Sequence, residues 1–294
     1  MNFINNNFIK EVFAINVNSI IKKILTALKT VEGIEAIVLG GSRAKGNYSA
    51  KSDIDIGLYY RDFSQLDRKR LDQIATELDD THRPNLISKI GEWGPWINGG
   101  GWLCIDGFAT DFLFRDLNKV TTVIDDCLNK MITIDYQPGH PHGFVNAIYV
   151  AETYYCKILW DVNNQIVNLK ERITPYPLAI KTGIINKFLW EASFSTANAY
   201  KGLIKADIIY TIGCIYRTIS CLIQVIYALN ETYIMNEKGS LINIDTFNLI
   251  PKDFQKKVEG IFYALTLQTD NIKNYLDNLS ELVQDVEVLC KKHL

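Results

Sequence analysis

The sequence predicts an α/β (α+β) half followed by an all-α helical bundle, with the change of character near Pro138 and Pro141. Three observations carry this. Residues 34–39 and 54–60 are short apolar runs separated by glycines, the mark of strands. Asp106-Gly107, flanked by 102–105 and 109–115, is a strong hairpin turn. Past about residue 140 strand signals fade, and long segments repeat apolar residues at steps of three and four.

In order, Val17, Ile20, Ile21, Ile24, Leu25 and Leu28 stand at helical spacing, with Lys22, Lys23 and Lys29 on the opposite face and Gly33 as the stop. Residues 34–39 read as a buried strand and 54–60 as a second, alternating one. Residues 63–79 read as a charged amphipathic helix, which puts Arg68-Lys69-Arg70 on its solvated face rather than in a phosphate patch. A glycine- and tryptophan-rich loop covers 91–101, and the hairpin follows. Long helices are expected over 180–201, 206–229, 252–267 and 269–291. In the second, Ile208, Ile212, Ile215, Ile219, Leu222, Ile226 and Leu229 make a central bundle helix. This divides the chain into a domain over 1–138 and a helical, substrate-side domain over 139–294.

Composition narrows the class. The 294 residues suffice for one large or two ordinary domains, and 48% hydrophobic with 22% charged residues is usual for a globular chain. A net charge of −2 disfavours a general nucleic-acid binder. The six cysteines show no CxxC pair or metal-ligand spacing, and read as buried free thiols in a reducing compartment. The N-terminus has no basic stretch leading into an apolar core. Residues 203–229 are interrupted by Lys205, Asp207, Arg217 and Gln224, so no run is expected to span a bilayer. A cytoplasmic protein without a membrane partner is expected.

The chemistry concentrates in Gly40-Gly41-Ser42 and, ten residues after the serine, Asp53-Ile54-Asp55. Residues i and i+2 of a strand share a side, so Asp53 and Asp55 project together while Ile54 and Ile56 enter the core. Two such carboxylates repel, and a divalent cation is their usual compensation; hard oxygen ligands suit Mg²⁺. A strand ending in Gly40-Gly41-Ser42 and turning into a short helix offers free backbone amides for phosphate, with the Ser42 hydroxyl beside them. Two-metal phosphoryl chemistry asks for a third carboxylate. Asp111, in the second hairpin strand, is preferred over Asp106, which the turn itself explains.

Together these residues resemble the signature of the DNA polymerase beta-type nucleotidyltransferase superfamily, within it most of all the bacterial antibiotic (aminoglycoside-type) and minimal nucleotidyltransferases. The resemblance covers 37–60, with weaker support to 115. It implies a mixed β-sheet with flanking helices and two Mg²⁺ ions on Asp53, Asp55 and Asp111. It also implies transfer of a nucleoside monophosphate from an NTP, ATP the first choice, to a hydroxyl with release of pyrophosphate. The acceptor is expected to be a small molecule, an aminoglycoside-like polycation among the candidates, lying against the helical half. Rival readings are modification of a protein or tRNA partner, as in toxin–antitoxin relatives, and a nucleotide-binding regulatory module without turnover. A homodimer is left open.

Further residues carry two readings each. Arg43 and Lys45 reach phosphate or are solvated charge. Lys238 contacts the triphosphate and Tyr233 stacks on the base, or both belong to a glycine-stopped helix end. Glu152 and Glu191 are candidate general bases or partnered structural acids. Arg217 binds substrate or pairs with an acid inside the bundle. His140 and His142 give a weak metal signal and read better as a boundary loop. Trp93, Trp96 and Trp102 form an apolar wall for substrate or pack the fold.

Overall fold

A computed structural model describes residues 6–263 and 269–294. The first part of the chain gives α1 (Asn6–Leu28), β1 (Ile34–Leu39), α2 (Gly41–Lys45), β2 (Ile54–Tyr60) and α3 (Arg68–Leu78). Then come β3 (Gly100–Ile105), β4 (Phe108–Asp116), α4 (Leu117–Leu128), β5 (Ile134–Asp135), β6 (Phe144–Val145) and α5 (Ala147–Tyr155). The remainder is β7 (Lys157–Asp161), α6 (Gln165–Arg172), α7 (Leu178–Ile204), α8 (Ile208–Leu229), α9 (Phe254–Tyr263) and α10 (Thr269–His293). The expected helix end over 264–267 and the first five residues lie outside the described residues.

The chain forms two compact units, Met1–Thr122 with Glu152–Ile173, and Val123–Ala151 with Thr174–Leu294. This differs from a single boundary near 138. The stretch beyond it returns, because β7 hydrogen-bonds antiparallel to β1 and completes the first sheet.

In the first unit the five strands lie in the order β3-β4-β2-β1-β7. β2 and β4 run parallel and the other neighbours antiparallel, so the sheet is mixed. Alternation sorts its faces. Ile54, Ile56, Leu58 and Tyr60 of β2, with Ile37, Leu39, Leu103, Ile105, Phe112 and Phe114 from neighbouring strands, are buried in one core. Ile20, Ile24 and Leu28 of α1 and Leu71, Ile74 and Leu78 of α3 join that core. The face they cover leaves Asp55, Asp111 and Trp102 on the other side.

The second unit is built on α7 and α8. Ile180, Ile184, Phe188 and Ala192 of the one and Ile215, Ile219, Leu222 and Ile226 of the other are buried, as are Leu276, Leu279, Leu282 and Val286 of α10. α8 corrects one expectation. Lys205 and Asp207 fall outside it, so the helix is long and apolar enough to cross a membrane by length and composition, although most of it is buried inside the protein. All six cysteines are free; Cys104 and Cys214 are only half-buried.

Candidate active site

The site grows from the parallel register of β2 and β4. Asp55 lies directly opposite Asp111 in that pair, so the two carboxylates stand side by side on one face. Asp53, just ahead of β2, adds a third charge close enough to act on both. Asp106, by contrast, sits in the β3–β4 turn with positive φ and an ion pair to Lys23 at 3.1 Å.

β1 ends at Leu39 and the chain turns straight into α2 at Gly41. The first bond of this short helix runs from the Ala44 amide to the Gly40 carbonyl (3.1 Å), which leaves the Gly41, Ser42 and Arg43 amides without an intrahelical acceptor. The Gly40 amide is not among them, because it donates to the Asp55 carbonyl at 2.8 Å. Gly41 has φ +59, and a Cβ there would lie 1.8 Å from Asp55 Oδ2. Its missing side chain is therefore demanded first by the neighbouring carboxylate. The turn and Asp55 are packed against each other.

Arg43 is neither solvated nor extended toward a ligand. It is buried, and its guanidinium donates to the Ser52 carbonyl (Nε 3.1 Å, Nη2 2.5 Å) and to the Asp53 carbonyl (Nε 3.0 Å). The rings of Tyr48 and Phe108 flank it at 5.1 and 5.7 Å. A charged fork that satisfies two carbonyls at once fixes the loop that presents Asp53. Lys45 is half-buried over the Tyr155 ring at 4.9 Å, and burial lowers its pKa.

Burial, then the charges of Asp53 and Glu152, raise the Asp55 pKa against the opposing pull of Arg43 and Arg115. Burial, then Asp55 and Asp53, push Asp111 up to about 6. Among the described residues no side chain donates a hydrogen bond or ion pair to any of the three carboxylates. That is a donor set of hard oxygens whose mutual repulsion the two arginines offset only in part, which fits Mg²⁺. Among the described residues no three His, Cys, Asp or Glu side chains already stand together closely enough to hold a metal ion by themselves. An open set suits an ion that keeps water and phosphate among its ligands.

Glu152 and Glu191 both prove to be partnered. Arg115, on the same face of β4 as Asp111, donates from Nε and Nη2 to the two oxygens of Glu152 at 2.8 and 2.7 Å. This pair was missed from sequence, although stepping by two from Asp111 through Leu113 leads to Arg115. In the second unit, Glu191 accepts from Arg217 Nε at 2.5 Å, and the same guanidinium donates to the His142 carbonyl at 2.6 Å. Arg217 thus takes the bundle reading. His142 is buried, and burial followed by Arg217 lowers its pKa to about 4. Tyr233 is buried and stacked on Tyr176 at 4.3 Å, which corrects its reading as a base platform. Lys238 is exposed in the loop after α8, its amide bonded to Asn236 Oδ1 at 2.8 Å.

Residues 22–90 match the family model described as "Polymerase beta, Nucleotidyltransferase". The chain carries a polymerase beta-type nucleotidyltransferase domain. The match runs from the last two turns of α1 through α3 and the loop after it, and so includes the Gly41 turn, Asp53 and Asp55 but not Asp111. A search of curated proteins returns no match. Among solved structures, a nucleotidyltransferase-like protein from Exiguobacterium sibiricum 255-15 is similar at 10% identity, over 91% of this chain and 74% of that one, with a TM-score of 0.47. An aminoglycoside 6-adenyltransferase from Bacillus subtilis is similar at 12% identity, over 92% of this chain and 89% of that one, with a TM-score of 0.34. The assignment of the nucleotidyltransferase domain rests on the family match, not on these distant likenesses.

Proposed function

We propose that this nucleotidyltransferase moves a nucleoside monophosphate from Mg-NTP, ATP the first choice, to a hydroxyl of a small cationic acceptor of the aminoglycoside kind. The side-by-side register of Asp55 and Asp111 carries the reading. Two facing acids on separate strands, with Asp53 just ahead of one of them, support it, because phosphoryl transfer on metal ions calls for such a carboxylate set. In this proposal the Gly41, Ser42 and Arg43 amides and the Ser42 hydroxyl take the triphosphate oxygens. Asp53, Asp55 and Asp111 would hold the Mg²⁺ ions. When bound, the metal supplies neutralisation of the charge that develops on the α-phosphate and on the leaving pyrophosphate.

The acceptor oxygen bonds to the α-phosphorus as the bond to the β-phosphate oxygen breaks. Its proton passes to a carboxylate. Glu152 is the candidate within the first unit, because its charge is felt at Asp55. Arg115 fixes that carboxylate in place. We place the reaction in the cytoplasm, where NTPs are supplied.

The test is pyrophosphate release with ATP, GTP, CTP and UTP plus Mg²⁺ across a panel of hydroxylated antibiotics, beside an Asp53→Asn/Asp55→Asn variant. Acceptor-dependent release that the variant abolishes supports the proposal. NTP binding without release across the panel refutes the small-molecule acceptor and directs attention to a protein or RNA target.

A further inference from the structure

Trp102 lies directly opposite Asp111 in the antiparallel β3–β4 pair, as Asp55 does in the parallel β2–β4 pair. Directly opposed residues share a face. Asp55, Asp111 and Trp102 therefore form one row across three strands, at steps of about 4.8 Å. The Gly41 turn stands at the opposite end of that row, packed on Asp55.

Trp102 is 60% exposed, an unusual state for so large an apolar side chain, and it has no part in the core of its unit. Its ring is nevertheless ordered by stacking on Trp93, with centroids 4.3 Å apart and planes 9° from parallel. The loop that carries Trp93 is tied down. The Gly91 amide donates to the Asn98 carbonyl at 2.6 Å, and the Phe114 amide to the Gly99 carbonyl at 2.8 Å. Gly100 is pressed so closely on β4 that a Cβ would meet the Phe112 carbonyl oxygen at 1.7 Å. The two indoles thus make a fixed shelf beside the carboxylates.

In-line displacement brings the attacking oxygen in from the side opposite the leaving one. With the leaving phosphates held at the Gly41 end and the α-phosphate over the carboxylates, the incoming hydroxyl approaches from the Trp102 end. We propose that the Trp93–Trp102 pair is the surface on which the acceptor lays its ring, and that this ring is saturated and cationic, an aminosugar in class. This rests on the nucleotidyl-transfer reading above. The negative face of the indole accepts C–H groups and ammonium groups alike, and the adjoining acids attract the same positive charge.

The test uses the full chain with Trp102→Ala and Trp102→Phe. Mg-NTP affinity is measured by calorimetry for ATP, GTP, CTP and UTP. Kanamycin and streptomycin are then titrated, by tryptophan emission and calorimetry, onto protein loaded with a non-hydrolysable analogue of the nucleotide that binds. Trp102→Ala is expected to weaken acceptor binding about ten- to a hundredfold, the loss typical of one stacked ring, with Mg-NTP affinity unchanged. Trp102→Phe recovers most of that binding, which a collapsed loop would not do. Equal acceptor affinity in wild type and Trp102→Ala overturns the proposal. So does a loss confined to Mg-NTP, which would give the shelf to the nucleobase, or failure of either aminoglycoside to bind the wild type. A wild type that binds no Mg-NTP refutes the nucleotidyl-transfer reading itself, and is told apart by the first titration.

Discussion

Replacing Gly41 by alanine places a methyl group where the Asp55 carboxylate now is. The Cβ would lie 1.8 Å from Asp55 Oδ2, and an ordinary contact needs about 3.4 Å, so the carboxylate must retreat by roughly 1.6 Å. Positive φ at a non-glycine residue adds about 1–2 kcal/mol of backbone cost. A displacement near 1 Å at a reacting group lowers rate by about a hundredfold. Gly41→Ala should therefore reduce kcat about a hundredfold or more. Its melting temperature should fall by about 2–3 °C, from a loss of about one to two kcal/mol in a chain of this size. Gly40→Ala is the matched comparison, because its Cβ would meet Asp55 Cβ at an ordinary 3.7 Å and its φ is −109. Pyrophosphate release and thermal melts of both variants make the measurement. A Gly41→Ala enzyme as active as Gly40→Ala would refute the packing of the turn against Asp55.

Three further outcomes follow from the same geometry. Asp111 is raised to about 6 from an ordinary value of 3.8, so the metal-free protein loses stability as pH rises through that window; Asp111→Asn should raise the melting temperature at pH 7.5 more than at pH 4.5. Melts without Mg²⁺ that show an equal gain at both pH values would contradict it. Arg43→Met removes a buried fork from the Ser52 and Asp53 carbonyls and should cost about 2–4 kcal/mol by urea unfolding, with faster amide exchange over 49–53 and no rescue by Arg43→Lys. His142, held down to about 4 by burial and Arg217, should stay neutral until pH nears 4, and its stabilising share is lost only as pH falls below its ordinary 6.5 toward that value. A ring-proton NMR midpoint near 6.5 for His142 would show that its surroundings are open.

Much of the first unit was legible because its signals are local. Residues 34–39 and 54–60 are strands as the apolar patterns indicate, and the Asp106-Gly107 turn fixed where the hairpin that carries Asp111 reverses. What was not legible depends on distant partners. Arg43 follows a serine in a polar stretch and reads as a phosphate ligand or as solvated charge, since nothing in its neighbourhood reveals that it will be buried on carbonyls nine and ten residues away. Arg115 and Glu152 are 37 residues apart. β7 has five residues, too few to display a period against the helices around it. Two-way readings such as that of Arg217 needed an identified partner, and Glu191 supplies it.

The return of the chain at Glu152 has a practical consequence for anyone cutting this protein. A fragment ending near residue 138 keeps the motif that defines the family and loses the strand that closes the sheet. β1 would then present its unpaired amides and carbonyls to other molecules, an invitation to edge-to-edge aggregation. Arg115 would also lose the carboxylate that pairs with it, since Glu152 lies beyond the cut. The compact unit that holds the motif is therefore not an N-terminal length of sequence at all. It joins residues 1–122 with residues 152–173.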